Sequence, residues 1–250
     1  MQNILLKLSV IGISIMFTDI HSHILHGIDD GPENFEQSVL LLNEASRNGV
    51  KRIIATPHFH ASRHGLDERL ALAADRYSKL QNYILENNIP VSLLQGFEVR
   101  YFNGISRIDS LNKLCINGSK VLLLELDASN ITEAVADEIL DMSYSGYKVV
   151  LAHIERYTKL SGFKQIKRLI ADGEVIAQCN ADSFLSGCFG RAAQRLLKEN
   201  MVSIIASDMH SLEHRPPNLK QAYEAIENKF GPKVKSRLIY KAENLFDMCL

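Results

Sequence analysis

Imidazoles and carboxylates recur in this chain at the ends of apolar runs, and that recurrence is the pattern of a polynuclear metal site. Phe17-Thr-Asp-Ile-His21-Ser-His23 opens the series, with Asp29-Asp30-Gly31-Pro32 close behind. Then come Ile53-Ile-Ala-Thr-Pro-His58, Leu93-Leu-Gln-Gly-Phe-Glu98, Leu122-Leu-Leu-Glu125, Val149-Val-Leu-Ala-His153 and Ile204-Ile-Ala-Ser-Asp208-Met-His210. Side chains two apart on a strand point the same way, so His21 and His23 can reach one ion, as can Asp208 and His210. Taken singly, His58 reads as a turn residue, His153 as a core histidine, and Glu98 or Glu125 as a capped carboxylate. Taken together they read differently. Burying several carboxylates without counter-charge costs several kcal/mol per ion, and a cluster of divalent cations removes that cost. Oxygen and nitrogen ligands without thiolate suit Mn, Fe or Zn.

These residues need a scaffold that brings strand ends together. Apolar runs near 17–20, 51–56, 91–96, 120–124, 148–152, 174–178 and 202–206 are short and rich in Ile, Val and Leu. They are apolar on both faces, as parallel strands under helices must be. Amphipathic stretches near 34–48, 67–87, 131–144, 162–171, 189–199, 217–229 and 232–247 alternate with them. Asn34 and Asp67 fit as N-caps, and Gly49 and Gly146 as C-terminal stops. The stripe Phe35, Val39, Leu42, Ala45 is core packing at helical spacing. The alternation predicts an α/β fold, a distorted seven-strand (β/α)7 TIM-like barrel whose strand-end loops share one face.

The 250 residues suit one domain. We expect it to span 16–250, with 1–15 an apolar N-terminal extension upstream of a start at Met16. Residues 1–17 look like a weak signal peptide, yet the run lacks a small-residue cleavage site and falls short of the roughly 20 apolar residues of a span. Removing it would cut into the first strand, which argues against a cleaved signal peptide, while its shortness means that no stable membrane insertion is expected, a peripheral contact being the alternative. A net charge of -1 and the absence of a basic excess exclude a dedicated nucleic-acid binder. Cys115, Cys179, Cys188 and Cys249 follow no Cys-x-x-Cys spacing, which fits reduced thiols and a cytoplasmic location. None begins the Cys-x5-Arg loop of thiol-dependent tyrosine phosphatases.

With these motifs the sequence resembles the PHP superfamily (polymerase and histidinol phosphatase domains). More narrowly it resembles the manganese-dependent tyrosine-protein phosphatases of bacterial capsule and exopolysaccharide loci, the CpsB/CapC group. The matching stretches are Asp19-Ile-His-Ser-His-Ile24, Asp29-Asp-Gly-Pro32, Ala55-Thr-Pro-His58, Gly96-Phe-Glu-Val99, Leu151-Ala-His-Ile-Glu-Arg-Tyr157, Ala206-Ser-Asp-Met-His210 and Arg215-Pro-Pro217. The resemblance covers roughly 16–245 and implies three divalent cations, preferentially Mn. One would be held by His21, His23, Glu98 and Asp208; a second by Glu98 as a bridge with Glu125 and His153; a third by Asp30, His58 and His210. Asp29 is the rival of Asp30. Phe97 departs from the family's usual polar residue and is harmless if it points to the core. The sixth strand ends in Gln178-Cys-Asn180 with no expected ligand, and Asn180 either hydrogen-bonds the site or caps a turn, the turn being favoured. His26, His60, His64 and His214 match no ligand position, although His60 or His64 could touch substrate.

The chemistry implied is hydrolysis of a phosphomonoester by a metal-activated hydroxide attacking phosphorus in line, with no cysteine intermediate. Taken alone, Arg156 and Arg215 read as surface ion pairs; the resemblance assigns them to the phosphate oxygens, as catalytic residues. It also implies the substrate, phosphotyrosine on a protein, the tyrosine-rich tail of a bacterial tyrosine kinase controlling polysaccharide synthesis. Tyr157 and Phe59 either flank the phenyl ring or pack. The alternatives are a small-molecule phosphatase of the histidinol-phosphate type and a non-catalytic regulatory PHP module. A nuclease-like activity is disfavoured by the charge, and oligomerisation is left open.

Overall fold

Each strand buries both faces, and the residues on alternate faces belong to two different layers. The computed structural model describes residues 16–127, 131–185 and 188–250; the stretch 1–15, read above as an extension, lies outside them. The strands are β1 (Phe17–Ser22), β2 (Val50–Ala55), β3 (His58–Phe59), β4 (Ser92–Gln95), β5 (Glu98–Arg100), β6 (Val121–Glu125), β7 (Lys148–Leu151), β8 (Val175–Asn180) and β9 (Ile204–Ala206). The main helices are α1 (Phe35–Arg47), α2 (Leu66–Glu86), α3 (Glu133–Tyr144), α4 (Phe163–Ala171), α5 (Gly190–Lys198), α6 (Leu219–Phe230) and α7 (Pro232–Asp247).

All strand pairs are parallel, in the orders β1-β2-β4 and β3-β5-β6-β7-β8-β9. β3 continues β2 and β5 continues β4, so the two sheets are one wall of seven staves. Pro57, which has no N–H to give a ladder, interrupts the first of these staves. Gly96 interrupts the second, where a Cβ would lie 2.8 Å from Ile116 Cγ1. At the other edge Asp208 N donates to His21 O at 3.0 Å and His23 N to Met209 O at 2.9 Å, so the last stave meets the first. The architecture is the distorted seven-strand barrel anticipated from the alternation of apolar runs and helices.

Ile53, Leu122, Leu124, Val149, Leu151 and Ile205 face the helices, in one core with Leu41, Leu42 and Ala45 of α1. Their neighbours Ile20, Ile54, Leu123, Val150 and Ile204 face the barrel interior, where Leu245 and Phe246 of α7 join them. The interior register then changes character toward the strand ends, because the same face of β6 carries Glu125 and that of β8 carries Gln178 and Asn180. α1 starts where expected, the Asn34 side chain accepting from Gln37 N at 3.0 Å. α2 does not: it begins at Leu66 after Gly65, leaving Asp67 in the first turn, where its charge suits the helix dipole rather than capping it.

Candidate metal centre

The nine expected ligands are gathered at the strand-end mouth of the barrel. A register irregularity in β1 between Asp19 and Ser22 re-aims the strand end, and His21 Nε2 and His23 Nε2 come within 3.2 Å of each other. Glu98 Oε2 is 3.2 Å from both nitrogens, and Asp208 Oδ1 is 3.4 Å from both. Beside them His153 Nε2 lies 2.8 Å from Glu98 Oε1 and 3.6 Å from Glu125 Oε1. On the other flank Asp30 Oδ1 sits 3.2 Å from His210 Nε2 and 3.5 Å from His58 Nε2. Ligand atoms about 2.1 Å from a shared cation are separated by roughly 3.0–3.5 Å, so these spacings fit occupied coordination shells.

The donors' chemistry agrees. Glu98 Oε2 and His210 Nε2 are buried with no aligned hydrogen-bond partner, as expected of atoms whose lone pairs belong to an ion. Burial opposes a charge on His21, yet Glu98 and Asp208 more than offset it and raise its pKa. His23 is raised further, by Asp29 foremost among its neighbours, against the same burial penalty. Glu98 and Asp208, which burial alone would push up, are held well below the carboxylate range, chiefly by His21. At His21 and His23 the pocket favours bound protons where a cation would go. Ligand atoms of His23, Asp30, His58 and His210, of His21, His23 and Asp208, and of Glu98, Glu125 and His153 form three adjoining groups, each able to hold an ion.

The adjacent aspartates are separated by their surroundings. The Asp30 side chain is 57% exposed and faces His58 and His210, while the Asp29 side chain is 4% exposed and turned inward. Asp29 Oδ2 accepts from His23 Nδ1 at 2.7 Å and from His58 N at 2.9 Å, and Oδ1 accepts from Gly31 N at 3.0 Å. Burial works to raise this carboxyl, but His23 and these bonds bring its pKa down to about 2. Gly31 is required in the Asp-Asp-Gly-Pro turn because a Cβ there would fall 2.3 Å from His23 O.

Asn180 is not a turn cap. Its Nδ2 donates to Asp208 Oδ2 at 2.7 Å, and its Oδ1 accepts from Gln178 Nε2 at 2.9 Å. Gln178 Oε1 in turn accepts from His153 N at 2.9 Å and lies 3.2 Å from His21 Nδ1. Amides at a strand end carry no ligand signature, but their place on the interior register of the sixth stave was a usable signal. Arg156 reaches Asp208 Oδ2 at 3.0 Å, and Arg215 reaches Asp30 Oδ2 at 2.7 Å and Asp208 Oδ2 at 3.5 Å. Phe97 is buried, as are Phe59 and Tyr157, whose rings pack instead of facing the mouth. Tyr157 Oη accepts from Leu126 N at 3.0 Å. His60, without a ligand role in the sequence pattern, stands with His58 and Glu125 in a fourth group of potential donors.

The profile of the family described as "Capsular polysaccharide synthesis, CpsB/CapC" matches residues 17–246. The tyrosine-protein phosphatase CpsB of Streptococcus pneumoniae is 29% identical over 241 residues, covering 91% of this chain and 94% of that protein. The tyrosine-protein phosphatase YwqE of Bacillus subtilis (strain 168) is 29% identical over 234 residues, covering 91% and 90%. A crystal structure from the pair YwqE of Bacillus subtilis and CpsB of Streptococcus pneumoniae, described as unique metal-dependent tyrosine phosphatases, superposes with a TM-score of 0.83. It shares 24% identity and covers 92% of this chain and 94% of that one, a likeness of fold.

Proposed function

Because the chain belongs to the CpsB/CapC family of capsular polysaccharide synthesis, we propose that it is a metal-dependent tyrosine-protein phosphatase acting on phosphotyrosine. The reading rests on one observation: three adjoining groups of ligand atoms converge at the barrel mouth, with two guanidinium groups against their carboxylates. His21, His23, Glu98 and Asp208 would hold one cation, Glu98, Glu125 and His153 a second, and Asp30, His58 and His210 a third, with Mn the preferred ion. When bound, clustered divalent cations lower the pKa of water and neutralise charge on phosphoryl oxygens.

The side chains supply the rest. Arg156 and Arg215 are tethered to Asp208 and Asp30, at the edge of the ligand set, with their remaining N–H groups available to fork onto phosphate oxygens as charge redistributes. Gln178 and Asn180 fix His153 and Asp208 from beneath, so the carboxylate is aimed before substrate arrives. A thiol nucleophile is not required. Burial lifts Cys115 to about 12 and Cys249 to about 11, and Cys179 well above the usual thiol range.

The substrate we favour is the phosphorylated tyrosine-rich tail of a bacterial tyrosine kinase in the polysaccharide pathway, met in the cytoplasm. An extended tail suits a mouth open enough to leave both arginines over one-third exposed. No helix of the described residues is long and apolar enough to cross a membrane. The test is turnover of a phosphotyrosine peptide by metal-stripped protein before and after Mn is restored, with histidinol phosphate in parallel. Recovery with Mn, preference for the peptide and indifference to thiol alkylation are expected. Activity that survives chelation and is lost on alkylation overturns the proposal.

A further inference from the structure

One donor group at the mouth includes a residue, His60, that has no part in the proposed reaction. Ligand atoms of His58, His60 and Glu125 all lie within 4.8 Å of one another. His60 is held in place by its own turn: Arg63 N and His64 N donate to its carbonyl at 2.9 and 3.0 Å, and its N–H donates to His64 Nδ1 at 3.1 Å. Its ring stands edge-on to that of His58, centroids 5.3 Å apart. Glu125 has capacity to spare. Its Oε1 is 3.6 Å from His153, its Oε2 is 3.7 Å from Arg100, and the Arg100 guanidinium lies closer, at 3.2 Å, to Asp127.

His58 belongs to two donor groups, one with Asp30, His23 and His210 and one with His60 and Glu125. A neutral imidazole binds a metal through one nitrogen while the other keeps its proton, so His58 can serve only one cation at a time. We propose that His60, Glu125 and His58 form an outer, inhibitory position for a zinc-like divalent cation, which competes with the third inner cation for His58. This rests on the three-cation reading above. Two imidazoles and a carboxylate are a donor set that zinc favours, and since Asp30, His58 and His210 offer the same set inside, the outer position differs by its place and not by its donor types. Repulsion from the inner cations and from Arg100 weakens the outer position, so it fills only when zinc is in excess.

The experiment titrates zinc into Mn-loaded wild-type protein and His60→Gln, measuring bound Mn, bound Zn and phosphotyrosine-peptide turnover together. Exchange of zinc into the inner positions is common to both proteins, so the difference between them isolates His60. The expected result is full Mn content and comparable turnover of both proteins without zinc. Release of the first Mn equivalent and half-inhibition should then require about tenfold more zinc, or higher, in His60→Gln. Coincident zinc curves overturn the outer position, as does a variant that fails to load Mn, which would put His60 in the inner centre. A wild-type protein that binds no Mn overturns instead the three-cation reading.

Discussion

Replacing Asp29 by Asn removes a single charge from a residue that lies behind His23 and outside the donor groups, and the hydrogen bonds it makes set what that costs. Asp29 accepts three hydrogen bonds, two at Oδ2 from His23 Nδ1 and His58 N and one at Oδ1 from Gly31 N. An amide offers one oxygen and one NH2 group. With the oxygen toward His23 and His58, the NH2 faces the Gly31 N–H; turned round, it faces His58 N–H and drives His23 to the tautomer with hydrogen on Nε2, the atom aimed at the cation. Either way a buried donor loses its partner, at about 1–3 kcal/mol. Support of a metal-bound histidine by a carboxylate is worth about 10–100-fold in affinity or activity.

Asp29→Asn should therefore bind Mn about 10–100-fold more weakly at the position assigned to His21 and His23, while saturating Mn restores turnover to within a few-fold of wild type. Calorimetric titration of the stripped protein and turnover against Mn concentration read the two effects separately. Asp30→Asn, which alters a candidate ligand, should lower the Mn stoichiometry itself. A folded Asp29→Asn variant with wild-type Mn affinity would refute the reasoning, and so would a rate loss that no concentration of Mn recovers.

Arg156→Ala should cut turnover about 100-fold or more with metal content intact, as loss of a group that stabilises transition-state charge does; metal analysis beside kinetics checks it. Asn180→Ala strips a bond from Asp208 and should cost about 1–3 kcal/mol of transition-state stabilisation, read as a roughly 5–150-fold fall in kcat/KM with the fold retained. The pH dependence of stability should reverse with metal loading. His21 and His23 are raised from 6.5 in the stripped protein, so their contribution is complete below that value and fades as pH rises through the folded pKa values. His210, depressed by burial, opposes them. Bound Mn competes with those protons, so the loaded protein should gain stability over the same interval. Thermal melts of both forms between about pH 6 and 9 test this, and parallel curves would count against imidazole ligation.

What the sequence made legible was whatever a strand's register dictates. Apolar runs end in Glu98, Glu125 and Asp208 because the interior face of the barrel turns to ligand two residues after Leu123 and four after Ile204, and that switch is visible along the chain. Asn180 and Gln178 follow the same register, but an amide there reads equally as turn chemistry. Asp29 and Asp30 could not be distinguished by type; their different burial is a property of the loop, set by the close approach of Gly31 to His23. Asp67 lost the cap because the turn holding His60 and His64 runs into the helix through Gly65. The division of two staves at Thr56-Pro57 and Gly96-Phe97 carried Pro and Gly signals that length alone had masked.

Among the described residues five non-glycine positions have positive φ, and their place in the fold separates them. Asn88, Asn117 and Asn200 are of the type that best tolerates the left-handed region, and His153, at 36°, and Asp208, at 54°, belong to the other two types enriched there. Both are candidate ligands just past a strand end. Such backbone costs of order 1–3 kcal/mol and persists only where surroundings over-determine it. Here they do: His153 N is bonded to Gln178, Asp208 N to His21 O, and Asp19 takes the N–H and hydroxyl of Ser207 one residue earlier. Asp19 is itself buried, its pKa pushed up to about 6 by that burial against the bonds from Ser207. The seam where β9 meets β1 is thus held by polar contacts under tension, and the same seam delivers His21, His23, Asp208 and His210. Relaxing Asp208 out of the left-handed region would swing its carboxylate from His21 and His23, so the strain and the metal geometry are one feature of the backbone.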